Sequence, residues 1–433
     1  MQFSRYLKIY GCTAPEGCSL LFSTLTGSLA YVPDEVVRAV RAGEPIPLGQ
    51  EESLRELGMV VDDLEEERRG VSGFFEEFDR VHGALQASII LNLRCNFACV
   101  YCYEGTQKSN RVMDAETADR AIAFLKSRFG EGKEELILYF YGGEPLLDPA
   151  TIKRFAGELK PFAEGRGAKF KFNLVTNGSL LTRQLVEELL PFGLAGAKVT
   201  LDGPRENHDR FRPFRNGTGS FDRIVENVKS CADLVRISIS GNFDRDNYRL
   251  FPEMIGALAA SGLGPEKIRS MFFGPIQQVN DEFSTPEHLG GCVSLDEPWL
   301  TDATLALRRA VLEGGYETTA LLPSPCMVDI RDALTIHVDG TLTKCPALIG
   351  HGQFVAGDLE KGFGDFAESY NLGSWKREAA CAECAYLPLC FGGCRMMLYQ
   401  RSGSVAGVDC RRGHYDSVLE ALIKQDIELS SLP

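Results

Sequence analysis

From residue 86 to about 275, strand-like and helix-like stretches alternate, and this alternation restricts the possible folds more than any other feature of the chain. The runs ASIILNL, ELILYFYG, KFKFNLVTNG, AGAKVTLDG, LVRISISGNF and KIRSMFFGPI are short, apolar and rich in β-branched or aromatic residues. Amphipathic segments separate them: DAETADRAIAFLKSRFG, DPATIKRFAGELKPF, LTRQLVEELLPFG, SFDRIVENVKSCADL and YRLFPEMIGALAASG. Such β–α repeats form an α/β fold with a parallel sheet, either doubly wound or curved into a partial barrel. Chemistry in both kinds of sheet gathers at the carboxyl ends of the strands. The residues that follow each run are therefore the first candidates for a site.

At 433 residues the chain exceeds one ordinary core, and two or three domains are expected. Residues 1–85 read as a small α+β domain: a hairpin in SLLFSTLTGSLAYV, a helix in PDEVVRAVRAG and a shorter one in EESLRELGMVV. The charge run DDLEEERRG follows and reads as a solvated face or the edge of a linker. The repeats occupy 86–300. After about 300 the alternation fades into a loop-rich, cysteine-dense domain over 301–433. A net charge of −14 argues against a nucleic-acid partner, which needs a basic face. No apolar run of about 18 residues predicts a membrane span, and MQFSRYLKIYG lacks the apolar core of a signal peptide, so a cytoplasmic protein is expected. Fourteen cysteines in such a chain suit metal binding or redox chemistry better than structural disulfides.

Cys95, Cys99 and Cys102 follow the first strand directly in LNLRCNFACVYCYEG, spaced C-x3-C-x2-C. Thiolates at this pitch grip one metal centre, and an iron–sulfur cube takes four ligands. Structural zinc also takes four protein ligands, and no His or further Cys stands nearby in sequence to complete such a site. A cluster held by three would leave one iron open.

The motif resembles that of the radical S-adenosylmethionine family, where an aromatic residue precedes the last cysteine; here it is Tyr101. The resemblance implies a partial (β/α)6 TIM-like barrel and a [4Fe–4S] cluster on Cys95, Cys99 and Cys102. The open iron of that cluster takes the amino and carboxylate groups of S-adenosylmethionine, which is cleaved to methionine and a 5′-deoxyadenosyl radical. FYGGEPLL resembles the segment that receives the cofactor's amino group, which carries that role to Gly142, Gly143 and Glu144. Glycine in that position lets the backbone approach a ligand closely. TNGS places Asn177 at a position near the cofactor, and VTLDGP offers Thr200 and Asp202 toward the cavity. HDRFRPFRNGTGSF resembles a segment whose arginine pairs with the cofactor carboxylate through its bidentate fork, a role left open between Arg212 and Arg215.

Seven cysteines crowd the C-terminal part: Cys326, Cys345 at the end of HVDGTLTKC, the CAECAYLPLCFGGC set of Cys381, Cys384, Cys390 and Cys394, and Cys410. Gly340 is expected in a hairpin turn, VDGTL. The spacing resembles the SPASM extension of radical S-adenosylmethionine enzymes, which implies two auxiliary [4Fe–4S] clusters and three clusters in all. Cys381, Cys384, Cys390 and Cys410 would hold one, and Cys326, Cys345 and Cys394 the other. A zinc ribbon would use only the C-x2-C pair and leave the remaining thiols unassigned. Some relatives add a cysteine about six residues after the first of the set. Asp332 stands there, so that site is either open to substrate or ligated by Asp329, Asp332 or a remote thiol. Cys231 reads as core. The roles of Cys12, Cys18 and Cys292, the last in HLGGCVSLDEP, stay open.

Enzymes with this extension mostly modify peptides and proteins. The first 85 residues loosely resemble the winged-helix-like leader-recognition domains of ribosomal-peptide maturases, in which a leader adds a strand to an exposed edge. The sulfatase-oxidising branch uses an Asp after the G-x4-C cysteine, and Pro346 stands there instead. The expected activity is that of a thioether-forming maturase of the sactipeptide or ranthipeptide groups, including the geopeptide maturases. It would join a cysteine sulfur to carbon in a leader-bearing precursor, with electrons from a ferredoxin or flavodoxin. Two alternatives stand beside it: carbon–carbon or carbon–oxygen crosslinking, and an iron–sulfur electron carrier. The cofactor-binding positions Gly142, Gly143 and Asn177 speak against the carrier.

Overall fold

The computed structural model of the chain describes residues 1–12, 15–81, 83–102, 104–277 and 290–429. His288 and Leu289, which open the loop toward Cys292, and residues 430–433 of the expected C-terminal domain lie outside the described residues.

A short strand, β1 (Gln2–Phe3), leads into an antiparallel meander of β2 (Leu7–Gly11), β3 (Cys18–Ser23) and β4 (Leu29–Pro33). Helices α1 (Asp34–Ala42) and α2 (Leu48–Glu56) follow, and β5 (Val60–Val61) returns to pair with β1. The expected hairpin is β3–β4, with β2 as a third strand. Val36, Val37 and Val40 form one face of α1 and pack with Leu21 and Val32 of the meander. The charge run is a solvated face, that of α3 (Leu64–Ser72), and not the edge of a linker; α4 (Phe74–Val81) follows. Asp63 caps α3 by accepting from the Glu65 and Glu66 N–H groups at 2.7 and 3.3 Å. Glutamates in the first turn suit the positive end of the helix dipole. Glu67 accepts from the Ser4 hydroxyl and, at 3.0 Å, from the Arg5 N–H, which ties the run back to β1.

The six expected strands are β6 (Ala84–Asn92), β7 (Glu135–Gly142), β8 (Lys169–Thr176), β9 (Leu194–Thr200), β10 (Arg236–Phe243) and β11 (Ile268–Pro275). Each pairs in parallel with the next, and their order in the sheet is their order in the chain. A doubly wound sheet reverses its order at a switch point. This one winds in a single direction, as a partial TIM-type barrel does. Between the strands lie α5 (Ala115–Arg128), α6 (Pro149–Glu164), α7 (Arg183–Leu189), α8 (Arg205–Phe211), α9 (Phe221–Cys231) and α10 (Phe251–Ala260). Asp114 caps α5 at the Thr117 N–H (2.7 Å), and Asp148 caps α6 at the Thr151 N–H (3.2 Å). Pro149 opens α6, where a missing N–H costs nothing. Ala118, Ala121, Ile122 and Leu125 turn one stripe of α5 onto the sheet, whose Ile89, Phe140, Phe172, Val199 and Ile239 are fully buried. Burying each of the larger side chains contributes roughly 1.5–3 kcal/mol.

The C-terminal part continues the barrel's sheet. After α11 (Pro298–Glu313), β12 (Ala333–Ile336) joins the free side of β6 in parallel. The chain turns at Gly340 (φ 83°), as VDGTL suggested, into the antiparallel β13 (Thr341–Thr343). β14 (Gly357–Asp358) and β15 (Gly362–Phe363) complete a ten-stranded sheet among the described residues. Short helices follow: α12 (Ser374–Arg377), α13 (Ala379–Ala382), α14 (Leu387–Cys390) and α15 (Arg395–Ser402); the long α16 (Arg412–Leu429) ends the described chain. The N-terminal unit seats on this region. Phe74, Phe75 and Trp375 surround Phe391 with ring centroids 5.0, 4.9 and 5.5 Å away. Arg5 pairs with Glu383, and Lys8 Nζ donates to the Tyr386 hydroxyl at 2.7 Å. No described helix is long and apolar enough to cross a membrane.

Candidate functional site

A cavity of about 510 Å³ opens at the carboxyl ends of the barrel strands. Lys198 and Thr200 of β9, Ser240 and Asn242 of β10, and Phe272 and Gly274 of β11 line it. In each pair the residues are two apart, which is the period that turns side chains to one face of a strand. Cys95, Cys99 and Cys102, in the loop after β6, close one side.

That loop is held as though it were a strand. Val100 N–H donates to the Phe211 carbonyl (3.0 Å), Ala98 N–H to that of Pro213 (2.9 Å), and Arg215 N–H to that of Asn96 (3.0 Å). Rings of Phe97 and Phe214 meet edge to face at 4.9 Å. Asn177 donates to Asn96 Oδ1 (2.8 Å) and approaches Cys95 Sγ at 3.8 Å. Burial pushes the Cys95 thiol up to about 12, with Cys99 adding to the effect. Lys108 lines the cavity with the three thiols and is the counter-charge there.

A polar network adjoins the thiols through the same loop. Tyr101 hydroxyl donates to Asp202 and accepts from Arg212 (2.7 Å) and Asn242 Nδ2 (3.0 Å). Asp202 is fully buried and also receives the Asn242 N–H at 2.8 Å. His208 Nδ1 accepts from the Asp202 N–H (3.1 Å), so its Nε2–H faces Ser220 Oγ (3.0 Å), which donates on to the Arg212 carbonyl (2.7 Å). Burial holds the His208 imidazole neutral, far below its ordinary pKa, and the nearby Arg212 charge acts in the same direction.

Of the residues singled out in the sequence, Cys95, Cys99, Tyr101, Cys102, Gly142, Gly143, Asn177, Thr200 and Arg212 line the cavity. Glu144, Asp202 and Arg215 do not. Glu144 is fully buried behind the wall and spends its carboxylate on the Thr176 hydroxyl (2.7 Å) and the Leu146 and Asn177 N–H groups (3.0 and 2.8 Å). The two glycines are demanded by the protein itself: a Cβ at Gly142 would sit 2.3 Å from the Asn92 carbonyl oxygen, and one at Gly143 2.0 Å from that of Arg94. Glu104, Lys108, Lys198, Ser240 and Asn242 line the cavity without having been picked out. The strand-end rule finds Asn242, which closes the run ISISGN. Glu104 is 3% exposed, its Oε2 has no hydrogen-bond partner, and burial raises it to about 7.

The C-terminal thiols fall into two neighbourhoods. Cys345 is raised to about 12 by burial and by the nearby Cys326 and Cys394. Cys381 is raised to about 12 by burial and by Cys390, Cys384 and Cys410. The turn CFGGC separates the two groups, with Phe391, Gly392 and Gly393 all at positive φ (41°, 85° and 76°). Cys390 thereby joins one group and Cys394 the other. Among the described residues no three His, Cys, Asp or Glu side chains converge tightly enough to hold a single ion. All-thiol sets of three and four suit iron–sulfur chemistry, which prefers soft donors. Cys231 is core, donating to the Leu181 carbonyl (3.2 Å), and Cys292 is buried, with burial raising it to about 12.

Residues 89–255 match the family model described as the Radical SAM superfamily. Among curated proteins the chain is 28% identical over 167 residues to Fe-coproporphyrin III synthase of Methanosarcina barkeri, 38% of either chain. It is 32% identical over 144 residues to the serine-type anaerobic sulfatase-maturating enzyme of Bacteroides thetaiotaomicron, covering 31% of this chain and 33% of that one. The chain thus spans well under half the length of these two relatives. The match to PqqA peptide cyclase of Rhodopseudomonas palustris is longer, 24% over 349 residues, covering 74% of this chain and 85% of that one. Among solved structures, anSMEcpe with bound AdoMet and the Cp18Cys peptide superposes with a TM-score of 0.61 at 14% identity, covering 80% and 97% of the two chains. Streptococcus suis SuiB bound to precursor peptide SuiA gives 0.56 at 14% identity, covering 94% and 98%. At these identities the structural likeness is one of fold.

Proposed function

From the premise that residues 89–255 form a radical S-adenosylmethionine domain, we propose that the protein matures a ribosomally made peptide, linking a cysteine sulfur to carbon. The observation that carries this reading is the joining of three thiols, a counter-charge and a polar network around one strand-end cavity. Cys95, Cys99 and Cys102 would hold a [4Fe–4S] cluster whose remaining position takes S-adenosylmethionine. Together these supply, when bound, the 5′-deoxyadenosyl radical that removes a substrate hydrogen atom.

The chain's own residues do the rest. Arg212 presents its guanidinium at the wall, fixed by Tyr101, and is the candidate partner of the cofactor's carboxylate. Asn177 orients the cysteine loop through Asn96. Thr200 and Asn242 offer polar groups from the barrel floor.

A long substrate is supported by two further cavities that adjoin each other. The second cavity, of about 310 Å³, lies where Phe273 and Pro275 of β11 face α11. A third, of about 790 Å³, shares Thr318–Leu322 with the second and reaches Gly27 and Leu29. There β4 is an edge strand with exposed Leu29 and Tyr31, which suits a leader adding as a further strand. PqqA peptide cyclase and the peptide-bound SuiB support a peptide substrate by their names. The thioether assignment draws on the group of Cys326, Cys345 and Cys394, which has no fourth cysteine and so has room for a peptide thiol. A ferredoxin or flavodoxin would supply electrons.

Mass spectrometry of a co-expressed cysteine-rich precursor tests the reading. The expected product lacks two hydrogens per crosslink and resists alkylation at the linked cysteine. An unmodified precursor counts against the maturase. A lighter precursor whose cysteines all alkylate would replace the thioether by a carbon–carbon or carbon–oxygen bond.

A further inference from the structure

The fourth position of the three-thiol group had several candidates in sequence, and the structure separates them. Asp332 is spent elsewhere: its carboxylate pairs with Lys133 (2.5 Å) and Arg128 (3.4 Å) on the outside of the barrel. Cys292 packs in the barrel core with its N–H bound to the Ile276 carbonyl, and Cys18 opens β3 opposite Pro33 of β4. Cys12 packs with the N-terminal aromatic cluster around Cys381. Asp329 remains. It lies one turn after Cys326, its N–H donating to the Cys326 carbonyl at 2.9 Å. Its ion-pair partner Arg395 directly follows Cys394, which packs in one cluster with Cys326 and Cys345.

The Asp329–Arg395 pair is the most deeply buried ion pair near the thiols, with side chains 6% and 4% exposed and a contact of 2.8 Å. Only one carboxylate oxygen is used in it. Arg395 donates to Oδ1, with the Gly373 N–H also facing the carboxylate, while Oδ2 is buried without a hydrogen-bond partner. An orphaned anionic oxygen carries a large desolvation cost unless something cationic meets it. Nearly all buried polar groups find a partner, so an orphaned oxygen beside three thiols calls for one; Arg395 Nε in the same pair has none either.

We infer that Asp329 is the fourth protein donor of the Cys326, Cys345 and Cys394 group, offering Oδ2 to the cluster while Arg395 holds Oδ1. The inference rests on the reading of that group as a cluster site. A carboxylate is a harder donor than a thiolate, so a peptide thiol is the better ligand for iron. With a cluster bound, a peptide thiol would compete with Oδ2, and the Asp329 carboxylate would be the group placed to take the thiol's proton, with no electron transferred. The site then serves both as a closed cluster at rest and as a thiol-binding position.

The test uses the full chain with Cys95, Cys99 and Cys102 replaced by Ala, so that only auxiliary signals remain, and adds Asp329→Ala or Asp329→Cys. Iron content and the electron paramagnetic resonance of the reduced protein are read before and after cyanide. About eight irons are expected in the parent, from two four-iron clusters; none would sink the cluster reading itself. The parent spectrum should respond to cyanide only at concentrations at least about tenfold above those that act on Asp329→Ala, because the carboxylate competes for the iron. Asp329→Ala should either respond to cyanide or lose about one iron, the open corner of a cube. Asp329→Cys should keep the irons and stay silent. The inference is overturned if Asp329→Ala matches its parent throughout. It is also overturned if the parent responds as readily as Asp329→Ala, or if Asp329→Ala loses the whole cluster and Asp329→Cys fails to restore it, the mark of a purely structural pair.

Discussion

Arg212 and Arg215 lie three positions apart with the same side chain, and only the path of the backbone separates their roles. The strand-like pairing of the cysteine loop with Phe211–Arg215 turns Arg212 to the cavity and leaves Arg215 holding Asn96 through its N–H. Arg212→Ala should weaken S-adenosylmethionine binding by at least about tenfold, since a hydrogen bond to a charged group contributes roughly 1.5–3 kcal/mol. Arg215→Ala should stay within about threefold of the parent, a difference of about 0.7 kcal/mol. Calorimetric titration of anaerobic protein reads both, and equal losses would contradict the assignment. The cysteines, Tyr101 and Asn177 were legible because their spacing and strand-end position are local. Arg215, and the screened position of Glu144, were not, because contacts distant in sequence decide which side chain faces a cavity. Gly143 was legible as a close approach but not as to what. Its neighbour is the Arg94 carbonyl, so Gly143→Ala should cost roughly 1–3 kcal/mol of stability even without cofactor.

At the scale of elements, the turn CFGGC does the most with the least. Three successive positive φ angles send Cys390 and Cys394 to different thiol groups. A bulky residue at positive φ is strained by about 1–3 kcal/mol. Phe391 tolerates this because it is fully buried among Phe74, Phe75 and Trp375. Phe391→Ala should therefore cost roughly 3–5 kcal/mol. Phe391→Gly loses the same ring but relieves the strain, so it should be no less stable than Phe391→Ala, the reverse of the usual order. Denaturant unfolding of the two variants compares them directly.

Buried histidines give a second prediction at this scale. His208 of α8 and His337, after β12, are kept neutral by burial, the latter with its pKa lowered to about 4. Their folded values lie below the unfolded 6.5, so unfolding takes up protons under mildly acidic conditions. Their contribution is complete above pH 6.5 and falls away as the pH drops toward 4. The thermal midpoint should decline over that window, and less so in His337→Asn.

For the whole molecule, the element types of the barrel were legible from periodicity, while its monotonic strand order followed only from the resemblance carried by the cysteine motif, since tertiary packing chooses it. The C-terminal extension of the sheet was hidden for another reason. Strands β12–β15 hold two to four residues each, too few for a pattern to show. The seating of the N-terminal unit on the Cys381–Phe391 segment rests on scattered aromatics that no local signal links. Removing residues 1–81 should expose that aromatic cluster and lose about four of about twelve irons, one cube of three. Full iron retention would show the N-terminal unit to be dispensable for the four-thiol site. The central claim is radical chemistry at the strand-end cavity, and the most direct measurement is anaerobic incubation of the reconstituted chain with dithionite and S-adenosylmethionine. The account expects 5′-deoxyadenosine and methionine in equal amounts, abolished when Cys95, Cys99 and Cys102 are replaced by Ala. No cleavage by protein carrying its full iron, or cleavage that survives the triple replacement, would contradict it.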